Sequence, residues 1–163
     1  LPKNLIKKDK IKQKKELKKS KKLYKKNKYH TRKKIKSFKS KKSQHVLNAE
    51  KIYNIKTLKI NSELSKKTGC SKKALLKILK KGQGAYYSSG SRPNQTAHSW
   101  GYARLASSIT SGKSAAVDYN ILKDSALQYC HIQLVLVECH NMYHLNYNIL
   151  RQIKYCLLCK FLN

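Results

Sequence analysis

Acidic residues are scarce in this chain. Seven Asp and Glu face 38 Lys and Arg, for a formal net charge of +31. Charge on that scale repels itself and opposes compaction unless a polyanion lies close. No run of about 18 apolar residues occurs, so a membrane-spanning helix is not expected. The opening text, LPKNLIKKDK, lacks an apolar stretch behind its charges, so no secretory signal is read and the protein is expected not to be secreted. Five cysteines, an odd number unevenly spread, make no disulfide framework and point to a reducing compartment.

The positive charge is graded. Residues 1–43 carry 21 Lys or Arg against Asp9 and Glu16, residues 44–124 carry 14 against 4, and residues 125–163 carry 3 against 1. Nucleic acid is the usual partner of such an arm. Each phosphate contact releases a condensed counterion, which makes the affinity fall steeply with salt. An anionic membrane is the rival polyanion, but residues 1–43 have few apolar side chains with which to build the face it needs. Leu5, Ile11, Leu17 and Leu23 recur every six residues, which fits neither a helix nor a coiled coil. Lysine favours helix, yet like charges at i,i+4 oppose it. The arm is therefore read as disordered or fluctuating helix, with Lys7, Lys8, Lys14, Lys15, Lys33 and Lys34 as representative phosphate neutralisers. A solvated tail that aids solubility is the plainer reading, and a nuclear-localisation address suits either.

Residues 44–124 read as a small helical domain. Val46, Ala49, Ile52 and Tyr53 follow helical spacing, and Ile55, Leu58 and Ile60 suit a short extended piece. Asn61 or Ser62 can cap one short helix, Thr68-Gly69-Cys70 forms a turn, and Ser71 can cap a second helix, Lys72 to Lys81, with Gly82 as its left-handed terminator. Leu64, Cys70, Leu75 and Ile78 take core positions. Two short helices around a central Gly resemble a helix-turn-helix, in which Ser71, Lys72, Lys73 and Lys77 would face DNA. Lysines there would mainly position phosphates. Two helices packed together with no groove insertion is the ordinary alternative.

From Gly82 the vocabulary changes. Residues 82–124 hold five of the six glycines, the single Trp, and Arg92 and Arg104 of the four arginines. A loop is expected over 82–95, then a helix from Ala97 to Thr110 capped by Thr96, with Tyr102, Leu105, Ala106 and Ile109 as its apolar stripe. Gly112 breaks it and Ser114 can cap a further helix ending near Leu122. The fold class is mainly α: a small helical module with a Gly/Ser-rich loop, a loop–helix motif over 82–122, and a basic arm before it. Residues 125–163 are atypical, apolar and Cys-containing, with HIQLVLVEC reading as a strand. The abrupt change of usage is what a shifted reading frame leaves; a separate small apolar element is the alternative.

The text GQGAYYSSGSRPNQT from Gly82 to Thr96, SWGYARLAS from Ser99 to Ser107, Gly112-Lys113 and Val117-Asp118 resembles a family of unknown function from large DNA viruses and tailed phages. The Lys-rich TRKKIKSFKSKK and SKKTGCSKKALLKI look like the same proteins, so the resemblance covers about residues 1–124 and leaves the tail outside. It implies a virus-encoded protein in the virion or the infected cell. It implies no activity.

Four chemistries could use these residues. Gly82, Gly84, Ser88 to Ser91 and Arg92 could cradle phosphate with free amides, hydroxyls and a fork donor. Gly112-Lys113-Ser114 lacks the upstream glycine of a P-loop. Tyr86, Tyr87, Trp100 and Tyr102, interleaved with Arg92, Arg104 and Lys113, suit base stacking, although for Trp100 a place in the core is the stronger reading. Ser88, Ser89, Ser99, His98, Asp118 and Asp124 form no arrangement distinguishable from chance, and no enzyme is expected. Cys156 and Cys159 have knuckle spacing, with Cys130, Cys139 and nearby His131, His140 and His144 as weak partners, but the residues between are apolar and no metal or other cofactor is expected.

The sequence thus points to non-specific nucleic-acid binding through the basic arm, as a packaging or virion-associated component. The alternatives are a docking module for other virion proteins and a helix-turn-helix DNA-binding protein. Gly82 to Leu122 holds only Arg92, Arg104 and Lys113 against Asp118, too little charge to hold a backbone alone, which favours docking or self-packing for the motif. Arg92 and Arg104 are its candidates for geometry-specific contacts or for internal order.

Overall fold

A computed structural model describes residues 1–2 and 5–123. They form seven helices: α1 (Lys7–Tyr24), α2 (Gln44–Ile52), α3 (Ser62–Thr68), α4 (Lys72–Ser88), α5 (Ala97–Ile109), α6 (Lys113–Val117) and α7 (Tyr119–Lys123). The helical class is as the sequence indicated, and no strand forms among the described residues. The expected HIQLVLVEC strand and Cys130, Cys139, Cys156 and Cys159 lie outside them.

Capping chemistry sets the helix starts. Asn61 Oδ1 accepts from Leu64 N at 2.8 Å, and Ser71 Oγ accepts from Ala74 N at 3.2 Å. Thr96 and Ser99 form a reciprocal capping box, 3.0 Å each way. Gly69 ends α3 in the left-handed region at φ 66°, where a side chain would be strained. The turn between α3 and α4 is the one the sequence indicated.

α4 and α5 are the central pair. α2 and α6 pack on α5, α3 and α7 pack on α4, and α1 packs along α4. The core joins Val46 and Ala49 of α2, Leu58, Leu64 of α3, Leu75 and Ile78 of α4, and Leu105, Ala106 and Ile109 of α5. Tyr53 donates its hydroxyl to the carbonyl of Ile109, tying the end of α2 to the end of α5.

Three boundaries differ from the sequence reading. Gly82 does not end α4; the helix continues to Ser88. Gly82 is buried where α4 meets α5: a Cβ there would lie 2.8 Å from the Cα of Gly101. A Cβ on Gly101 would in turn lie 2.9 Å from the Leu79 carbonyl oxygen. These glycines are chosen for close approach of two backbones, and the expected loop shrinks to the segment between α4 and α5. Ser114 lies inside α6, whose N-cap is Gly112 with no side-chain cap. The last expected helix is two short ones, parted at Asp118.

The basic arm, read as disorder or fluctuating helix, is helical from Lys7 to Tyr24. Its inward residues are Gln13 and Ser20, both fully buried, seven positions apart. Ile11 is exposed. Hydrophobic spacing could not reveal this helix, because its docked face is polar.

Candidate nucleic-acid interface

The arm is fastened to the helical module through side-chain bonds to backbone oxygens. Gln13 Nε2 donates to Ser91 O at 3.2 Å, and Ser20 Oγ donates to Tyr87 O at 3.2 Å. Beyond α1 the chain returns, and Arg32 donates Nη1 to Gly90 O and Nη2 to Tyr86 O, with a further bond to Ser20 Oγ at 3.2 Å. These acceptors cluster at the end of α4, where terminal carbonyls lack partners within the helix and the dipole is negative. Arg32 thus caps α4 from outside it. Its guanidinium also lies 4.1 Å from the centre of the Tyr86 ring. Burial lowers the Arg32 pKa from its usual value and raises that of Tyr86.

A second clamp follows. Asn94 accepts from Ile35 N at 2.8 Å and donates to Ile35 O at 2.9 Å and to Phe38 O, while Ile35 is 1% exposed. Glu16 holds the turn after α1 by bonds to His30 Nε2 at 2.9 Å and Lys33 N at 3.0 Å. Burial pushes Glu16 upward, but the Lys33 amide and His30 outweigh that and hold it below its usual value.

This docking uses almost none of the lysines. Lys7, Lys8, Lys14, Lys15, Lys33 and Lys34 all stay exposed, as do Lys72, Lys73 and Lys77 on α4. Acidic groups are meanwhile engaged within the protein. Asp9 accepts from Ser37, Glu50 pairs with Lys42, Glu63 pairs with Lys67, and Asp118 holds Arg104 and Lys81. The exposed field is therefore one of lysines without carboxylates to answer them.

The motif residues separate into different roles. Arg104 provides internal order: its Nε reaches Asp118 Oδ2 at 2.8 Å and its Nη2 reaches Oδ1 at 2.7 Å. Asp118 is wholly buried, and Lys81 at 2.9 Å and Ser108 at 2.8 Å complete its shell. Burial alone would raise its pKa; the bonds from Arg104, Lys81 and Ser108 more than offset that and hold it below the usual value. Tyr86 is buried under Arg32. Tyr87 stacks on Tyr24 at 5.8 Å and meets Tyr29 at 5.0 Å. Trp100 is half-buried, 6.4 Å from Tyr86. Arg92 is exposed, with no hydrogen bond or ion pair among the described residues.

The phosphate cradle expected over 82–92 does not form. Gly82 and Gly84 are inside α4, and the hydroxyls of Ser88 and Ser89 bond back to its carbonyls. Of the residues that could serve nucleophilic chemistry, Asp124 lies outside the described residues and the others are engaged elsewhere. Ser99 is in the capping box, His98 lies against Tyr102 at 4.7 Å, and Asp118 is enclosed by its cations.

Arg32, Gln13 and Ser20 were not singled out by the sequence reading. One signal was available for Arg32: it is the lone arginine among the 21 cations of residues 1–43. Nothing in the spacing marked Gln13 or Ser20.

No curated protein and no solved structure matches this chain. A family model does, over residues 3–126, which takes in α1 to α7 and the motif alike; the chain belongs to that family, described as a family of unknown function (DUF5824).

Proposed function

We propose that this protein binds nucleic acid non-specifically through the lysines of α1 and the segment after it, as a packaging or virion-associated component of a virus. The observation that carries the reading is the manner of docking. α1 is docked through Gln13, Ser20 and the capping Arg32, which leaves its lysines outward. Preordered cations lose less entropy on binding a backbone than a free tail would. The viral setting rests on the resemblance of the 82–122 motif.

A second reading has one observation in its favour. α3, the Gly69 turn and α4 leave Lys72, Lys73, Leu76, Lys77 and Lys80 exposed on one side of α4, as a helix-turn-helix would require.

The test is binding of the full chain to single- and double-stranded DNA and RNA across a salt series. Replacing Lys7, Lys8, Lys14, Lys15, Lys33 and Lys34 by Gln should flatten the log–log salt slope on duplex DNA by up to about 5. A slope unchanged by that variant, but flattened by Gln at Lys72, Lys73 and Lys77, would move the helix-turn-helix reading to first place.

A further inference from the structure

Beside α5 lies a cleft of about 270 Å³ that the lysine field does not explain. Four chain segments converge on it. Lys41, Ser43 and His45 come from the entry to α2, Arg92 and Gln95 from the segment before α5, and Arg104 from α5 itself. Ser114 of α6 and Trp100 of α5 also line it.

Its chemistry is one-sided. No Asp or Glu lines it. Lys41, His45 and Arg92 make no hydrogen bond or ion pair among the described residues. Ser43 stands at the N-cap of α2, yet its side chain makes no capping bond, so its hydroxyl is also unused. Arg104 is different: Nε and Nη2 are fixed on Asp118, which holds the guanidinium rigid at the cleft wall. Asp118 is wholly buried and surrounded by Arg104, Lys81 and Ser108, so its charge is answered before it reaches the cleft.

Unused donors of this kind call for an acceptor-rich guest. A guanidinium fork, an ammonium and hydroxyls arranged around a small space suit a tetrahedral oxyanion, which has several oxygens to fill at once. We infer that this cleft is a phosphate-binding site whose ligand class is a phosphate ester, with Arg92 and Lys41 as the principal charges, Ser43 as a neutral donor and Arg104 as the fixed wall. The site shares Lys41 with the segment that follows α1 but none of the lysines of α1 itself, and it stands whether or not those lysines bind nucleic acid. A small ester and a nucleic-acid backbone both carry this phosphate, and the recognising chemistry is the same.

Trp100 is the only tryptophan in the chain and lines the cleft, so its emission reads occupancy without a label. The full chain is titrated with inorganic phosphate and with ribose 5-phosphate, against ribose and sodium chloride at matched ionic strength. Both phosphates should give a saturable change, and ribose and chloride none. Arg92→Ala should raise the half-saturating phosphate concentration about tenfold or more, with Tm unchanged because Arg92 is exposed. Lys51→Ala, exposed on α2 and outside the cleft lining, should leave the response intact. A single-stranded oligonucleotide then identifies the source. If it alters Trp100 emission and inorganic phosphate reverses the effect, the backbone enters the cleft; if only the small phosphates act, the ligand is a free ester. No saturable response to either phosphate, or a response that survives Arg92→Ala combined with Lys41→Ala, overturns the site. Salt-steep nucleic-acid binding alongside a Trp100 silent to phosphate would sink the cleft and leave the reading of the α1 lysines standing.

Discussion

Arg104 grips Asp118 through two nitrogens, Nε at 2.8 Å and Nη2 at 2.7 Å, across the junction between α5 and the short helices that follow. The carboxylate has no exposure to solvent, while Arg104 is 17% exposed and Lys81 is 43% exposed. Charges enclosed in this way cost solvation, and the return comes only if every partner is present.

Asp118→Ala should therefore destabilise the fold by about 3 kcal/mol, the lower end of the range for a broken buried pair, because Lys81 can turn to water. The carboxyl is held below its ordinary value in the folded state. Its contribution is then full above the unfolded carboxylate pKa of about 4 and is lost as pH falls through the lower folded value. Thermal melts taken downward from pH 6 should show an acid-side fall in Tm that Asp118→Asn lacks. Parallel profiles for the two proteins would remove Asp118 from the account.

The Gly82–Gly101 crossing gives a prediction of opposite sign to helix propensity. Alanine in a helix is favoured over glycine by about 1 kcal/mol. At Gly82, however, the new methyl would meet the Cα of Gly101 at 2.8 Å, and that neighbour is backbone. Overpacking of a tight site costs about 1–3 kcal/mol, so Gly82→Ala should lower stability despite its propensity gain. Urea denaturation decides it: an increase in the midpoint would mean that α4 and α5 have room to separate.

Arg32→Ala should loosen the arm without unfolding the module. It removes the donors to Tyr86 O and Gly90 O and the contact on the Tyr86 ring. Tyr86 O keeps its bond from Gly90 N, so the loss falls mainly on Gly90 O and the ring contact and costs about 1 kcal/mol, borne where the arm meets the end of α4. Hydrogen exchange should quicken in α1 and the turn after it while α5 keeps its protection. Arg32→Lys should rescue little, because one ammonium does not reach what a fork reaches. Uniform quickening across α1 and α5 would show that the arm and the core open as one unit.

Much of the helical text was legible because its rules are short-range. Asn61, Ser71 and Thr96 cap residues only three positions away, so the caps and the turn at Gly69 are written locally. The stripe of Leu105, Ala106 and Ile109 lies on one helix and is buried as its spacing indicates. Gly82 misled for a related reason. A glycine after a run of helix formers is locally the sign of an ending, and only the presence of Gly101 on another helix gives it a different purpose.

The sequence by itself determined a lysine-rich, helical chain with the caps of α3, α4 and α5 in place, since charge, propensity and i,i+3 bonding depend on near neighbours. Only the tertiary structure decided that the arm docks, because Gln13 and Ser91 are 78 positions apart and Arg32 and Tyr86 are 54 apart. Polar side chains that bond to distant backbone oxygens leave no periodic trace. The same holds for the cleft: Lys41, Arg92 and Arg104 become one site only when α2 and α5 pack together, and no spacing along the chain announces it.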